Sequence, residues 1–404
     1  NSGTGSHDLA LNFGIRGLNP RLASRSTVLM DGIPVPFAPS GQPQLSLAPL
    51  SMGNMDAVDV VRGGGAVRYG PQNVGGIVNF VTRAIPEQAT FKAAMQNQIS
   101  PSSSHDGFKN TANLLVGGTN DNGLGGALLY SGTRGGDWRE HSDTQIDDLI
   151  VKGKLQLDEA NSLHAMAQYY EGEADMPGGL SKAAFDADPY QSTRLKDRFW
   201  GRRTLVNAGY DYKQDDRQFS INSFFTNTLR SGYLDQGNFV SLSPREYWVR
   251  GIETRFSQGL ALGDSWHELG IGYRYVNEAG HELRYREPVN GRLPSTASRN
   301  DRDNRGSTEA HALYLADRID IGRWTITPGI RFEHINTDWR DRPVLGTNGQ
   351  RVPEKSRSIT SNEPLPALSV MYHLSDAWKV FANYETSFGS LQYFQLGQGG
   401  SGDS

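Results

Sequence analysis

The run Trp324-Thr325-Ile326-Thr327-Pro328-Gly329-Ile330-Arg331-Phe332-Glu333 decides the fold. Successive side chains of a strand point to opposite sides. Trp324, Ile326, Ile330 and Phe332 therefore share one face, while Thr325, Thr327, Arg331 and Glu333 share the other. Leu269, Ile271, Tyr273 and Tyr275 alternate with Glu268, Gly270, Gly272 and Arg274 in the same way. So do Trp378, Val380, Ala382, Tyr384 and Phe388 with Lys379, Asn383, Glu385 and Ser387. An apolar face suits lipid and a polar face suits a wet lumen. A soluble sandwich gives the same alternation with its apolar face buried, so the pattern alone leaves both open.

Working outward, the alternation predicts strands near 91–99, 110–119, 124–134, 147–157, 162–172, 203–213, 217–230, 247–260, 266–284, 308–321, 323–338, 364–374 and 377–389. The connections between them alternate in length. Tight turns fall at 120–123, 158–161, 214–216, Gly322 and Ser375-Asp376; long polar loops fall at 173–202, 231–246, 285–307 and 339–363. Short turns at one rim and long loops at the other are the pattern of an outer-membrane barrel. Strands such as 266–284 exceed the roughly 9–11 residues that cross lipid, so they are expected to project beyond it.

Composition agrees. The 404 residues are 36% hydrophobic and 10% aromatic, with 47 Gly. Mean hydropathy is -0.55. No stretch reaches the roughly 18 unbroken apolar residues of a spanning helix, whereas barrel strands are only half apolar. Aromatics at this level argue against disorder. There is no Cys, so disulfides and thiolate metal sites are excluded. A net charge of -4 gives no reason to expect nucleic acid. No signal peptide is visible, and the chain opens at Asn1-Ser2-Gly3 without Met; a processed or truncated N-terminus is expected.

About thirteen strands is an odd number, and an open barrel leaves two unpaired edges in lipid at several kcal/mol per unsatisfied group. Bacterial barrels normally close with an even number. The segment Gly400-Ser401-Gly402-Asp403-Ser404 is not a strand. A wall that continues in a longer protein is therefore expected.

Residues 1–86 read differently. They are rich in Gly and Pro, with short strand-like pieces at 27–30, 57–61 and 76–82 divided by Asp31-Gly32 and Gly63-Gly64-Gly65. Ile85-Pro86 is the expected junction, giving an N-terminal domain at 1–86 and a barrel portion at 87–404. Within the first domain, Val58-Asp59-Val60-Val61-Arg62-Gly63-Gly64-Gly65-Ala66-Val67-Arg68-Tyr69-Gly70 leads into Val74-Gly75-Gly76-Ile77-Val78-Asn79-Phe80-Val81-Thr82-Arg83. This run resembles the plug-domain signature of the TonB-dependent outer-membrane transporters. Ile15-Arg16-Gly17 and Val28-Leu29-Met30-Asp31-Gly32-Ile33-Pro34-Val35 resemble further plug pieces in the same order. No phosphate-loop pattern occurs.

Inside that family the chain is most similar to the ferric dicitrate receptors. The resemblance is sharpest at 17–25, 172–181, 197–203, 228–233 and 242–245. It implies an all-β transmembrane barrel of about 22 strands around an N-terminal globular plug, in the outer membrane of a Gram-negative bacterium. It implies no catalysis and no resident cofactor, iron being carried as the ferric dicitrate ligand. The implied partners are ferric dicitrate, the TonB-ExbB-ExbD energy-coupling system and outer-membrane lipid. A longer protein with the family's signalling domain would add an anti-sigma regulator on the periplasmic side. That domain, the TonB box and about nine strands of the family pattern are not in this sequence.

The resemblance implies ligand contacts at Arg230, Arg245 and Arg302, with Gln72 on the plug. Arg suits a carboxylate-rich anion because its planar fork donates two charge-assisted hydrogen bonds at once. By their place in the chain, Arg230 ends a strand at the long-loop rim, Arg245 lies in the loop just before the next strand, and Arg302 lies in the following long loop. Tyr69-Gly70-Pro71 is the expected plug apex, with Gln72 beside it. The bland alternative for each Arg is a solvated loop charge or an Asp/Glu pair. Arg194, Arg198, Arg202 and Arg203 either raise the local positive potential or belong to a lumen ion-pair network. Arg62, Arg68 and Arg83 are expected to pair with wall carboxylates. Trp138, Trp200, Tyr247 and Trp248 are expected as girdle or packing residues.

Rivals remain at this stage. A receptor for another iron chelate, such as a hydroxamate, would lean on aromatics rather than clustered Arg. An outer-membrane phospholipase would need a Ser-His pair, and no spacing offers one. His267-Glu268 and His281-Glu282 do not complete a metalloprotease motif.

Overall fold

The structure, a computed structural model, describes residues 9–15, 17–18, 20–23, 25–61, 66–70, 74–100, 107–289, 292–342, 344 and 353–397. Its strands form two sheets. The small sheet holds β1 (Thr27–Met30), β2 (Ile33–Pro34), β3 (Met55–Val61) and β4 (Ile77–Thr82) in the order β2-β1-β4-β3. β1 and β4 run parallel; the other pairs are antiparallel. Asp31 and Gly32 join β1 to β2, both at positive φ (49° and 79°). A two-residue hairpin of this hand demands that conformation, and Asp-Gly supplies it at low cost. Asp31 then accepts the Thr82 N–H at 2.9 Å, tying the turn to β4.

The large sheet begins with β5 (Thr90–Ser100), β6 (Gly107–Thr119), β7 (Leu124–Gly136), β8 (Asp143–Gln156) and β9 (Asn161–Asp175). After the short helix α1 (Lys182–Ala187) come β10 (Arg198–Gln214), β11 (Arg217–Asp235), β12 (Phe239–Leu242) and β13 (Arg245–Leu262). β14 (Ser265–Pro288), β15 (Arg299–Ile321), β16 (Trp324–Asp341), β17 (Lys355–His373) and β18 (Lys379–Glu385) complete it. Neighbours in sequence pair antiparallel from β5 to β18, and the short β12 bridges β11 and β14 above β13. Among the described residues this makes thirteen wall strands plus β12, in line with the alternation count.

The strand bounds agree with the sequence expectation to within two residues at the tight-turn rim and differ more at the other, where β18 ends at Glu385, so that Ser387 and Phe388 lie beyond the strand. Much of the predicted loops 231–246, 285–307 and 339–363 is strand, whereas 173–202 is strand only at its ends: β14 runs 24 residues and β15 runs 23. Arg299–Gly306 pairs residue by residue with β14 up to Arg286, with a bulge at Arg284/Tyr285. These hairpins leave the membrane, so nothing selects apolar alternation there, yet their backbone groups still need partners. The alternation ends where the lipid ends and the ladder continues.

That boundary is visible on the outer face. Phe256, Ile271 and Leu315 stand in one exposed row, and Tyr273, Leu313 and Phe332 in the next. Above them come Tyr275, His311, His334 and Asn362, then Arg250, Asn277, Glu309, Asn336 and Thr360. An outward apolar band edged by aromatics is what a lipid-facing wall requires. The opposite face holds the small sheet. Val28, Met30, Ile33, Val35, Leu45, Val78 and Phe80 share one core with wall residues Leu129, Ile150, Met166, Leu205, Val249 and Val276.

Polar ties complete the fit, with the charge roles reversed from expectation. Lys152 donates to Thr82 Oγ1 (2.7 Å) and the Arg83 carbonyl (3.1 Å). Arg203 donates to the Pro34 carbonyl (2.8 Å), and Arg331 to those of Val67 and Arg68. The wall supplies the cations, and Arg68 and Arg83 offer main-chain oxygens. Arg331 itself pairs with Glu333 at 2.6 Å, both fully buried. Arg62 lies outside the described residues.

Candidate ligand site

Arg230, Arg245 and Arg302 come together by register. Arg230 sits within β11, five residues before its end, directly opposite Arg245, the first residue of β13. Arg245 in turn stands opposite Glu282 on β14. Arg302 belongs to β15 rather than a loop, opposite Arg284. All lie above the apolar band, on the long-hairpin side.

Glu282 is the hub. Its Oε1 accepts from Tyr247 Oη at 2.7 Å and from Arg245 Nη1 at 3.5 Å; its Oε2 lies 4.0 Å from Arg302 Nη1. Burial alone would raise this carboxyl, but Arg245, the Tyr247 hydroxyl, Arg230 and Arg302 outweigh it and hold it below the ordinary range. Burial, reinforced by the Arg245 cation, pulls the Arg230 guanidinium down to about 10. Arg302 is lowered by burial and then by Arg284 and Arg245. Arg230 Nε and Arg245 Nε are buried and make no hydrogen bond among the described residues. Arg284 and Arg286 both pair with Asp301, at 2.8 and 2.5 Å. The rim thus gathers five guanidiniums around two paired carboxylates, a concentration of positive charge suited to an oxyanion ligand.

The inner domain reaches this cluster through residues 37–44. Phe37 stacks on Tyr247, centroids 5.4 Å apart and 14° from parallel, and Arg230 lies 5.8 Å from the same Phe37 ring. Phe199 offers Arg230 a second ring at 5.7 Å. Tyr247 is fully buried in the site instead of serving a girdle. Of the expected apex Tyr69-Gly70-Pro71, Gly70 lies against Arg331 and Glu333, level with the apolar band rather than at the cluster, and Pro71 lies outside the described residues. Gln72 lies outside the described residues. The segment Pro36-Phe37-Ala38-Pro39-Ser40-Gly41-Gln42-Pro43, which reaches the cluster, reads in the sequence as an ordinary loop. Its prolines, which stiffen it, are a signal that the sequence does carry.

The other arginines fall elsewhere. Arg198 pairs with Glu173 (2.8 Å) and Asp175 (3.0 Å) on β9, and Arg194 donates to the Asp235 carbonyl. Arg202 lines a separate pocket with Asp147, Glu171, Glu173 and Trp200. Trp138 packs edge-on to Tyr190, Trp200 packs on Tyr233, and Trp248 faces outward.

Comparison with known proteins bears on both sheets. The family described as "TonB dependent receptor-like, beta-barrel" matches residues 96–404, and the "TonB-dependent Receptor Plug Domain" matches residues 1–77. A solved structure of the ferric citrate transporter FecA, unliganded, is 62% identical with a TM-score of 0.93. It covers 98% of this chain and 59% of that one. The ferric-catecholate import receptor Fiu of E. coli K12, at 15% identity and TM-score 0.73 over 94% of this chain and 67% of its own, shares the fold. Among curated proteins, the vitamin B12 transporter of Photobacterium profundum is 23% identical, covering 95% of this chain and 54% of that protein. The ferrioxamine B receptor of Salmonella typhimurium is 20% identical, covering 83% of this chain and 50% of that protein. The chain spans about half the length of the curated relatives it matches.

Proposed function

This chain belongs to the TonB-dependent receptor family of the Gram-negative outer membrane, and from that premise we propose that it binds ferric citrate at the outward mouth of the barrel for import into the periplasm. The family is one of receptors and transporters, not enzymes. The observation that carries the reading is the convergence of Arg230, Arg245 and Arg302 on the single carboxylate of Glu282. Glu282 already presents one carboxylate to these cations, and an iron–citrate complex presents several. The similarity to a ferric citrate transporter supports the same choice. In this reading ligand bound against residues 37–44 favours one state of the plug over another. The TonB-ExbB-ExbD system supplies the energy to move the plug. Iron is cargo here, not a resident cofactor.

Receptors for vitamin B12 and ferrioxamine B are relatives at lower identity. A hydroxamate pocket has no need of partly buried guanidiniums, which are costly to desolvate. Uptake of radioactive iron from ferric citrate tests the proposal in cells lacking their own citrate receptor. Uptake that requires both the protein and TonB is expected. Iron entry only from a hydroxamate chelate would defeat the ligand assignment.

A further inference from the structure

Below the arginine cluster, the barrel domain grips the 37–44 segment of the inner domain by its backbone. The Ser40 and Gly41 N–H groups donate to the two oxygens of Glu278, at 2.9 and 3.1 Å. From the other side, Ser390 Oγ donates to the Ser40 carbonyl and the Tyr393 N–H donates to the Gly41 carbonyl, both at 2.8 Å. All four main-chain polar groups of Ser40-Gly41 are therefore held by barrel residues. A Cβ at Gly41 would stand 2.1 Å from the Tyr393 ring, so only glycine fits. Tyr393 opens the short helix α2 (Tyr393–Gly397), and its hydroxyl meets Thr308 Oγ1 at 3.2 Å.

Glu278 is fully buried. A buried carboxylate is expensive unless its oxygens are satisfied, and packing alone needs none: the neighbouring wall positions Val249 and Val276 are apolar. The carboxylate is matched to two adjacent N–H donors, which is the geometry of a fixed turn. That turn lies three residues from Phe37, the residue that stacks on Tyr247 and faces Arg230. Glu278 and Glu282 are four residues apart on one face of β14, about 13 Å along the strand, with Tyr247 opposite Gly280 between them.

We propose that Glu278 is a positioning residue that fixes the Ser40-Gly41 turn, and through it Phe37, against the arginine cluster, so that grip on the ligand depends on a carboxylate that never touches it. The ligand half of this rests on the function proposed above. The test is hydrogen exchange of the 36–44 backbone together with ferric citrate titration, in the intact protein in detergent, for wild type, Glu278→Gln and Glu278→Ala. Gln keeps one acceptor oxygen and Ala keeps none. Exchange at 36–44 should rise at least about tenfold in the Ala variant and less in the Gln variant. Exchange in β1 and β4 should stay unchanged, which general loosening would not allow. Ferric citrate affinity should fall in the same order, by about tenfold for Ala. Ser390→Ala, a milder loss on the opposite side, should raise exchange at 36–44 alone. Unchanged exchange at 36–44, or equal opening of β1 and β4, would overturn the proposal. So would raised exchange with undiminished affinity. If wild type does not bind ferric citrate at all, the functional reading fails, and the exchange results still decide whether Glu278 fixes the turn.

Discussion

Arg230 on β11 and Arg245 on β13 are register partners, cation directly opposite cation on adjacent strands. Such a pair is destabilising by itself. It is tolerated because Glu282 stands next in the row, opposite Arg245. A site that holds like charges together this way gains when an anion arrives. Arg245→Ala should therefore weaken ferric citrate binding by about tenfold to a hundredfold, the worth of a charge-assisted hydrogen bond. Arg194→Ala, on a residue that donates to the Asp235 carbonyl, should change it less than about twofold. Calorimetric titration of both variants checks this, and equal losses would mean the wrong arginines are assigned.

Glu282→Gln leaves the three guanidiniums without their shared counter-charge. Breaking a fully buried pair costs roughly 3–5 kcal/mol. Here the Arg245 and Arg302 side chains retain 21% and 34% exposure, so about 1–2 kcal/mol is expected after solvent screening. Thermal unfolding in detergent should show a lower midpoint, and added citrate should restore more of it in the variant than in wild type. A variant as stable as wild type would remove Glu282 from its role as hub.

Lys152→Met should loosen the inner domain without altering the barrel. Lys152 reaches Thr82 Oγ1, the Arg83 carbonyl and, at 3.9 Å, Asp31. Losing these leaves buried acceptors unpaired at about 1–3 kcal/mol. Hydrogen exchange should accelerate in β4 and at the Asp31-Gly32 turn while β8 stays protected. Unaltered β4 exchange would show that apolar packing alone holds the plug there.

Glu278 predicts a pH dependence with a definite sign. Burial pushes its carboxyl up to about 7, against the Ser40 and Gly41 N–H groups and Arg274. Arg331 and Glu333 line the same small cavity, and Tyr393 packs close by. An unfolded glutamate titrates near 4.3, so between about pH 4.3 and 7 the folded protein binds more protons than the unfolded chain. Stability should then fall as pH rises through that window and level off above it. Melting midpoints at pH 5.5 and 7.5 should differ less in Glu278→Gln than in wild type. An equal difference would assign the dependence to other groups.

How much of this was legible depended on where lipid selects the side chains. Trp324 to Glu333 alternates because one face meets hydrocarbon, and β16 is legible in it directly. Arg299 to Gly306 carries no such pattern, since it pairs above the membrane, so the sequence makes a loop of a strand and places Arg302 in that loop. The three arginines could be named from resemblance, but their convergence could not be read. Residues 230, 245, 282 and 302 meet only through the register of four strands, and register is not local. The grip on Ser40-Gly41 was equally silent, because main-chain donors and acceptors leave no mark on side-chain identity beyond a required glycine.

The central claim, that the arginine cluster recognises iron-bound citrate, is tested most directly by calorimetric titration of the intact protein with ferric citrate, iron-free citrate and a ferric hydroxamate. Tightest binding of ferric citrate, weaker binding of citrate and none of the hydroxamate is the predicted result. Hydroxamate binding with no heat from ferric citrate would contradict it.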